Sequence, residues 1–248
     1  MIMAKQFGGG DNLYIAQYDL SSDTQMLGNV GGGPAALDVT TIDESAYSRL
    51  GGHRDGRIEF TSFLDTAAGR SHPVLSALPR TDVPITYCRG TTLGSPAASA
   101  TTKQVNYDGN RGTDGLVVFS VSAQANSYGL VWGRQLTAGK RTDTAATNGT
   151  GIDTTASASF GWSAYLHVFS FTGTSVTVTI QDSADNATYA NLSGGAFTAA
   201  TGATSERIAG ATTTATVRRY VRVITSGTFS SAVFAVNFSK GESPGTVF

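Results

Sequence analysis

The sequence is poor in cysteine, in charged residues and in long apolar runs, and each shortage narrows the range of functions. Its 248 residues include a single cysteine, Cys88, so an internal disulfide framework is excluded. Only 14% of the residues are charged and the formal net charge is −1, which argues against a surface that grips nucleic acid or an anionic membrane. No window approaches the roughly 20 apolar residues of a membrane span, so no membrane contact is expected.

Motifs that carry chemistry are missing as well. The chain has no Gly-x-Ser-x-Gly turn, no phosphate-binding glycine loop ending in Lys and Ser or Thr, and no His-Glu-x-x-His pair. His53, His72 and His167 are not spaced from one another or from Cys88 as metal ligands are. The first ten residues lack the pattern of a secretory signal and are expected to form a flexible leader. The sequence therefore predicts no catalytic residue, no metal site and no cofactor.

The residues that are abundant indicate strands. Thirty glycines, six prolines and a heavy content of Thr, Ser, Ala and Val predict an all-β fold with many turns. Residues 13–20 and 37–42 read as strands, and the glycine-rich residues 28–34 read as a loop. One short helix is predicted over residues 71–78, where Ser71 can cap the first turn and three apolar residues form a stripe.

Alternation of apolar and polar residues marks three strands as the organising sheet of the chain. In residues 117–124, Val121 and Ala123 alternate with Ser120 and Ser122. Residues 57–64 and 102–107 show a similar split, with Val105 and Tyr107 assigned to the apolar side. The alternation predicts one polar face made of Arg57, Glu59, Thr61, Gln104, Asn106, Ser120, Ser122 and Gln124.

The segment from Arg111 to Gly149, preceded by DVTTIDESAYSRLGGHRDGRIEF, resembles the major tail tube proteins of bacteriophages with long, non-contractile (siphovirus-like) tails. The likeness covers roughly residues 35–147. It implies a tail-tube β-sandwich or barrel, six copies of which form a ring, and rings that stack into a tube for DNA delivery. The polar face would then line the lumen, and DNA would pass without specific binding.

The same resemblance implies a place and a set of partners. The protein would be a virion structural protein of the tail, assembled in the host cytoplasm, that contacts other copies of itself and the terminator, tape measure and distal tail proteins. Between the strand at 37–42 and the strand at 57–64 lies a segment with both charge signs, which is expected to protrude and to contact other subunits or rings. Its candidate contact residues are Asp43, Glu44, Tyr47, Arg49, His53, Arg54 and Asp55.

A change to small polar residues over 138–151 predicts a boundary between a tail tube domain, residues 1–147, and an outward-facing C-terminal β-sandwich, residues 148–248. The second part contains several short strand-like runs and loosely resembles galactose-binding-like jelly rolls. Two other functions stay open at this point: a carbohydrate-binding adhesion module and a capsid decoration protein.

Three groups of side chains in the second part have competing interpretations. Aromatic residues near strand ends either form a platform for weak binding of surface glycans or pack locally. Three arginines on one strand either bind anions or lie on a solvated face. The acidic turn at 182–186 either holds calcium or follows ordinary turn chemistry, which is favoured. The aromatic residues are Trp162, Tyr165 and Tyr189, and the arginines are Arg218, Arg219 and Arg222.

Overall fold

The computed structural model describes residues 9–243 and 248, so most of the predicted leader lies outside the described residues. The described chain is all-β with one short helix, as the sequence predicts. Its elements, in chain order, are β1 (Asn12–Ile15), β2 (Tyr18–Asp19), β3 (Thr24–Gly31), β4 (Pro34–Asp38), β5 (Arg49–Arg54), β6 (Arg57–Phe63), α1 (Ser71–Leu75), β7 (Val83–Cys88), β8 (Pro96–Gln104), β9 (Asp108–Arg111), β10 (Val117–Ala125), β11 (Val131–Gln135), β12 (Arg141–Asp143), β13 (Ile152–Asp153), β14 (Trp162–Ser183), β15 (Ala190–Ala196), β16 (Thr204–Ala209) and β17 (Tyr220–Lys240).

The chain forms two compact units that are interleaved in sequence. The larger unit contains the described residues of Met1–Ser22, Pro84–Ser99 and Val131–Phe248, and the smaller one contains Asp23–Val83 and Ala100–Leu130. This division differs from the predicted cut between residues 147 and 148. Strands β11 and β12, which precede that cut, pair with β17, which follows it.

Two very long antiparallel strands, β14 and β17, form the centre of the larger unit. They pair from Trp162 opposite Lys240 to Ser183 opposite Tyr220. The sequence of these two segments predicts four shorter strands, because a glycine interrupts the apolar–polar alternation in each segment. In the structure the pairing of the two strands shifts on both sides of Gly173, which has a φ of 152°. Gly227, with a φ of 120°, pairs with Val176 just beyond this shift, so each strand continues through its glycine.

The core of the larger unit lies beneath these two strands. Strands β15 and β16 pair with β14, and β11, β12 and β13 pair with β17. Alternate apolar residues of β14 and β17, such as Ile180 and Phe234, are fully buried there. They pack with Trp162, Phe238 and Leu136 in one cluster. Leu136 thus joins a segment before the predicted cut to the strands after it.

A chain of hydrogen bonds runs through the buried interior of the larger unit. His167 is fully buried, and its Nδ1 lies 2.6 Å from the backbone oxygen of Ala16. Because a carbonyl only accepts, Nδ1 carries the proton and Nε2 accepts from the Thr86 hydroxyl at 2.7 Å. Ser99 links Thr86 to the side-chain amide of Asn237. Burial lowers the pKa of His167 to about 4, so the ring is neutral at pH 7.

The smaller unit is a sheet in the order β8, β10, β6 and β3, to which β8 contributes residues 100–104, with α1 near the end of β8. Ile58, Phe60, Val121 and Ala123 are buried on one side of this sheet, in agreement with the predicted alternation. Helix α1 is shorter than predicted. Ser71 does not cap it through its side chain, which donates instead to the backbone oxygen of Phe63.

Three local predictions differ from the structure. Residues 13–20 form the hairpin of β1 and β2 rather than one strand. The predicted glycine loop at 28–34 is largely strand, because β3 extends to Gly31 and pairs with β6. The predicted strand at 37–42 ends at Asp38. Close contact explains one glycine of this segment, since a Cβ on Gly32 would lie 2.3 Å from the backbone oxygen of Asp55.

Candidate functional site

The polar residues of β6 and β10 lie side by side on one face of the smaller unit. Three pairs are directly opposite each other: Arg57 with Gln124, Glu59 with Ser122, and Thr61 with Ser120. Residues that are opposite in an antiparallel pair point to the same face of the sheet. Six of the eight residues predicted for the polar face are therefore assembled as the alternation indicates. We call these six residues the polar face.

The charges on the polar face balance each other. Arg57 and Glu59 alternate on β6, and their side chains approach to 3.8 Å while both stay solvated. The other four side chains are uncharged. The Ser122 hydroxyl also lies 3.5 Å from a Glu59 carboxylate oxygen. A solvated ion pair of this kind adds little stability, but it leaves the surface close to neutral.

Gln104 is a correction to the prediction. It pairs with Ala123, a buried residue, and so lies on the core side of the sheet. Its side-chain amide donates to the backbone oxygen of Leu75 at 2.8 Å and thereby ties the end of α1 to β8. Val105, predicted to be buried, is 52% exposed. The prediction that Gln104 lies on the polar face and Val105 on the buried face is therefore wrong.

A bulge explains why the assignment of this segment failed. Gln104 pairs with Ala123 and Asp108 pairs with Ser120, so four steps along one strand match three along the other. Asn106 lies in the bulge, and its side-chain oxygen accepts from the Ser122 backbone N–H at 2.6 Å. Asn106 thus replaces a missing backbone partner and does not extend the polar face.

The pairing adds residues beside the polar face that the sequence did not indicate. Lys103 pairs with Gln124 and Asp108 with Ser120, so one more cation and one more anion join it and the balance is kept. Lys103 also forms an ion pair with Asp82 at 2.7 Å. On the other edge, Asn29 pairs with Glu59. Asn29 would have been found if residues 28–34 had been read as a strand.

The predicted protruding segment, residues 43–56, forms the tip and second strand of a two-stranded hairpin, β4 with β5, which we call the arm (residues 34–54). Within the described residues neither strand pairs with any other strand. The tip is ordered by its own hydrogen bonds: Val39 donates to the Ser48 carbonyl at 3.0 Å, and Thr40 donates to Asp38 through both its backbone N–H and its hydroxyl. The hydroxyl and backbone bonds from Thr40 hold the pKa of the Asp38 carboxyl below its usual value.

The predicted contact residues are distributed over the arm and its base. Asp43, Glu44 and Tyr47 lie in the exposed tip, Arg49, His53 and Arg54 lie on β5, and Asp55 follows β5; all seven are exposed. The guanidinium of Arg49 lies 4.8 Å from the centre of the Tyr47 ring. The guanidinium of Arg54 donates to the backbone oxygen of Leu130 at 3.3 Å, which fixes the base of the arm within its own unit.

Sequence reasoning missed the apolar character of the arm. Leu37 and Leu50 are directly opposite each other and are 51% and 59% exposed. Val39, Ile42 and Tyr47 add three more exposed apolar side chains, and Ile42 is fully exposed. An isolated two-stranded hairpin is at best marginally stable in water, and exposed apolar side chains that lie close together are common on surfaces that bind another molecule.

The aromatic residues and arginines of the C-terminal part, for which two interpretations were open, make contacts within the protein. Trp162 and Tyr165 are only 1% exposed, which leaves them no open face for a sugar. Arg218 binds Asp182 through its backbone and its guanidinium, and Arg219 binds Asp153 at 2.6 Å. Arg222 donates to Gln181 and lies over the ring of Tyr189. The anion-binding and sugar-platform interpretations therefore do not hold for these residues.

The acidic turn after β14 follows turn chemistry. The Asp185 carboxylate accepts the backbone N–H groups of Ala187 and Thr188 and the hydroxyl of Ser183, which holds its pKa well below the usual range. Residues 9–243 and 248 contain no group of three or more His, Cys, Asp or Glu side chains placed to hold a metal ion. Cys88 is buried, and burial raises the pKa of its thiol. No helix in the described part of the chain is long and apolar enough to span a membrane.

Comparison with known proteins gives only distant similarities. No model of a protein family and no curated protein matches the chain. A chain of the virion of a native gene transfer agent particle is 12% identical with a TM-score of 0.41, covering 52% of this chain and 98% of that one. The Dit protein of phage SPP1, a hub adsorption apparatus protein, is 12% identical with a TM-score of 0.33, covering 93% and 99%. At these values the similarities carry no argument about function.

Proposed function

We propose that the protein is a structural subunit of a phage-type virion tail, with the polar face turned to the DNA channel and the arm in contact with another copy. The observation that carries this proposal is the register of β6 and β10, which gathers six uncharged or charge-balanced side chains on one face. The assembly of six copies into a ring, and of rings into a tube, is the part of the proposal that the sequence resemblance to tail tube proteins implies. The proposal includes the partners and the outward position of residues 148–248 that the resemblance implies, and it needs no catalytic residue.

A near-neutral face suits a channel that must release its cargo. Each cationic side chain that neutralises a phosphate adds a salt-dependent attraction, and stacked rings repeat that attraction along the whole tube. On the polar face Arg57 is offset by Glu59. The remaining side chains are the amide of Gln124 and three hydroxyls, which carry no charge. DNA would therefore slide past this surface without being held.

The arm provides the contact between copies in this proposal. It carries five exposed apolar side chains, and covering each Leu or Ile fully is worth about 1.5–3 kcal/mol. Repeated at every copy in a ring, contacts of this size would favour association. The charged residues around the apolar cluster, among them Asp43 and Arg49, would set the orientation of the partner rather than the affinity.

The test adds positive charge to the polar face. In the variant Ser120→Lys with Ser122→Lys, we expect assembled particles that release DNA more slowly than wild type at low salt, with the defect relieved at high salt because phosphate attraction is screened. Release is measured by the loss of packaged DNA over time at two ionic strengths. The matched control is Thr172→Lys with Thr174→Lys, which adds the same charge at two exposed alternate positions of β14.

Two outcomes separate the parts of this proposal. If both variants assemble and release DNA at the wild-type rate at both ionic strengths, the polar face does not line the channel. If the control slows release as much as the test variant does, the effect is one of net charge and not of position. Electron micrographs of the purified chain test the assembly itself, because rings or tubes with a central hole are expected only of a tail tube.

A further inference from the structure

We propose that an open groove in the larger unit binds an acidic saccharide, a function that goes beyond the structural role above. The groove has a volume of about 390 Å³. This lies within the range of small-molecule sites, roughly 300–1,000 Å³. It combines one exposed aromatic ring, that of Trp132, with several charged or polar groups, while the second aromatic residue of its lining, Phe238, is buried. Its main lining residues are Pro96, Trp132, Arg134, Thr154, Lys240 and Glu242.

Trp132 provides a flat apolar surface on a rigid strand. Its side chain is 54% exposed, whereas the only other tryptophan, Trp162, is 1% exposed. Strand β11 pairs with β8 on one side and with β17 on the other, so the backbone of Trp132 is held in place. The ring of Tyr87 packs edge-on against the Trp132 indole, with 6.4 Å between the ring centres, and the Tyr87 hydroxyl donates to Asp11. The strand pairing and the Tyr87 contact thus restrict the orientation of the indole.

Two cations line the same groove as this indole. Lys240 donates its ammonium protons to the backbone oxygen and hydroxyl of Thr154, at 3.1 and 2.7 Å, and to Ala156, so it adds charge rather than a free donor. Burial and the nearby Arg134 lower the pKa of Lys240, against the opposing effect of Glu242. Within the described residues the guanidinium of Arg134 makes one hydrogen bond, at 3.4 Å to the Gly94 carbonyl. Its guanidinium is exposed and can bind a carboxylate with two donors.

The mixture of groups favours a saccharide over a protein partner. The core of a protein interface is depleted in charged residues and enriched in several apolar and aromatic ones. Here a single exposed ring stands among Arg134, Lys240 and Glu242. A pyranose with a carboxylate matches this set: its apolar C–H face lies on the indole, its carboxylate binds Arg134 near the second cation, and Glu242 accepts from its hydroxyls.

The two tryptophans make the test direct. Because Trp162 is buried in the core, a ligand in the groove changes the intrinsic fluorescence through Trp132. We expect trigalacturonic acid at millimolar concentrations to shift or quench the emission of the full chain, and neutral galactotriose to do so much less. Arg134→Gln should weaken the response to the acidic sugar at least about tenfold, since a charge-assisted pair is lost. Arg49→Gln, on the arm, should leave it unchanged.

Three results would overturn the proposal. The first is no fluorescence response to either sugar in the wild-type chain. The second is an equal response in Arg134→Gln, a variant that changes an exposed side chain and keeps the fold. The third comes from assembled particles: if iodide quenches Trp132 in the free subunit but not after assembly, the groove is a contact between copies. The proposed tail function survives all three results.

Discussion

Acid should destabilise this protein through one residue, His167. The ring is fully buried and neutral, donating to Ala16 and accepting from Thr86, and burial lowers its pKa from 6.5 to about 4. The unfolded chain therefore binds a proton below pH 6.5 that the folded chain does not bind until pH 4. The contribution of the neutral ring is complete above pH 6.5 and is lost as the pH falls toward 4.

The size of this effect follows from the two pKa values. Lowering the pH from 7.5 to 5 should reduce the free energy of unfolding by about 2 kcal/mol, at 1.36 kcal/mol for each pKa unit of differential protonation. Ordinary carboxyl groups stay ionised in this interval. Burial raises the pKa of Tyr14, whose ring lies 5.9 Å from that of His167, so Tyr14 does not contribute.

Urea unfolding at pH 7.5 and pH 5 measures this loss. Two variants serve as controls. His53→Gln, on the exposed arm, should show the same loss as wild type. His167→Asn should be less stable than wild type at pH 7.5, because Thr86 and the Ala16 carbonyl lose their partner. Its free energy of unfolding should fall much less than that of wild type between pH 7.5 and pH 5. A wild-type chain with equal stability at both pH values, or a His167→Asn variant with the full loss, would refute the reasoning.

Two further predictions concern assembly and the long strands. Replacing Leu37 by Asp and Leu50 by Lys, which places opposite charges at two directly opposite positions, should leave the subunit folded with an unchanged melting temperature but abolish rings and tubes in micrographs; normal tubes would show that the arm is not a contact. Gly173→Ala should reduce the free energy of unfolding by a few kcal/mol, because its Cβ would lie 2.4 Å from Cα of Phe229. Gly202→Ala, where nothing lies within 4 Å, should change it by less than about 0.5 kcal/mol, and equal effects would contradict the proposed crowding.

The sequence alone determined the features that depend on short-range periodicity. Alternation along residues 57–63 and 117–124 separated Arg57, Glu59, Ser120 and Ser122 from the buried Ile58 and Val121 correctly, because side chains alternate strictly within an unbroken strand. Composition predicted the all-β class, and turn residues predicted the role of Asp185. The protruding segment before residue 57 was also found, since a run of mixed charge has no periodic apolar face.

Tertiary structure decided everything that depends on pairing between distant segments. One extra residue between Gln104 and Asp108 reversed the faces of that segment, and a bulge leaves no mark in local composition. Gly173 and Gly227 predict turns from the sequence, yet neither strand ends there. Strands β14 and β17 pair with each other on both sides of these glycines, and this pairing keeps both strands extended. The division into two interleaved units likewise results from pairing between segments that are distant in sequence. Local sequence sets which residues form a strand, but only the partner strands, tens of residues away, set its register, its ends and its unit.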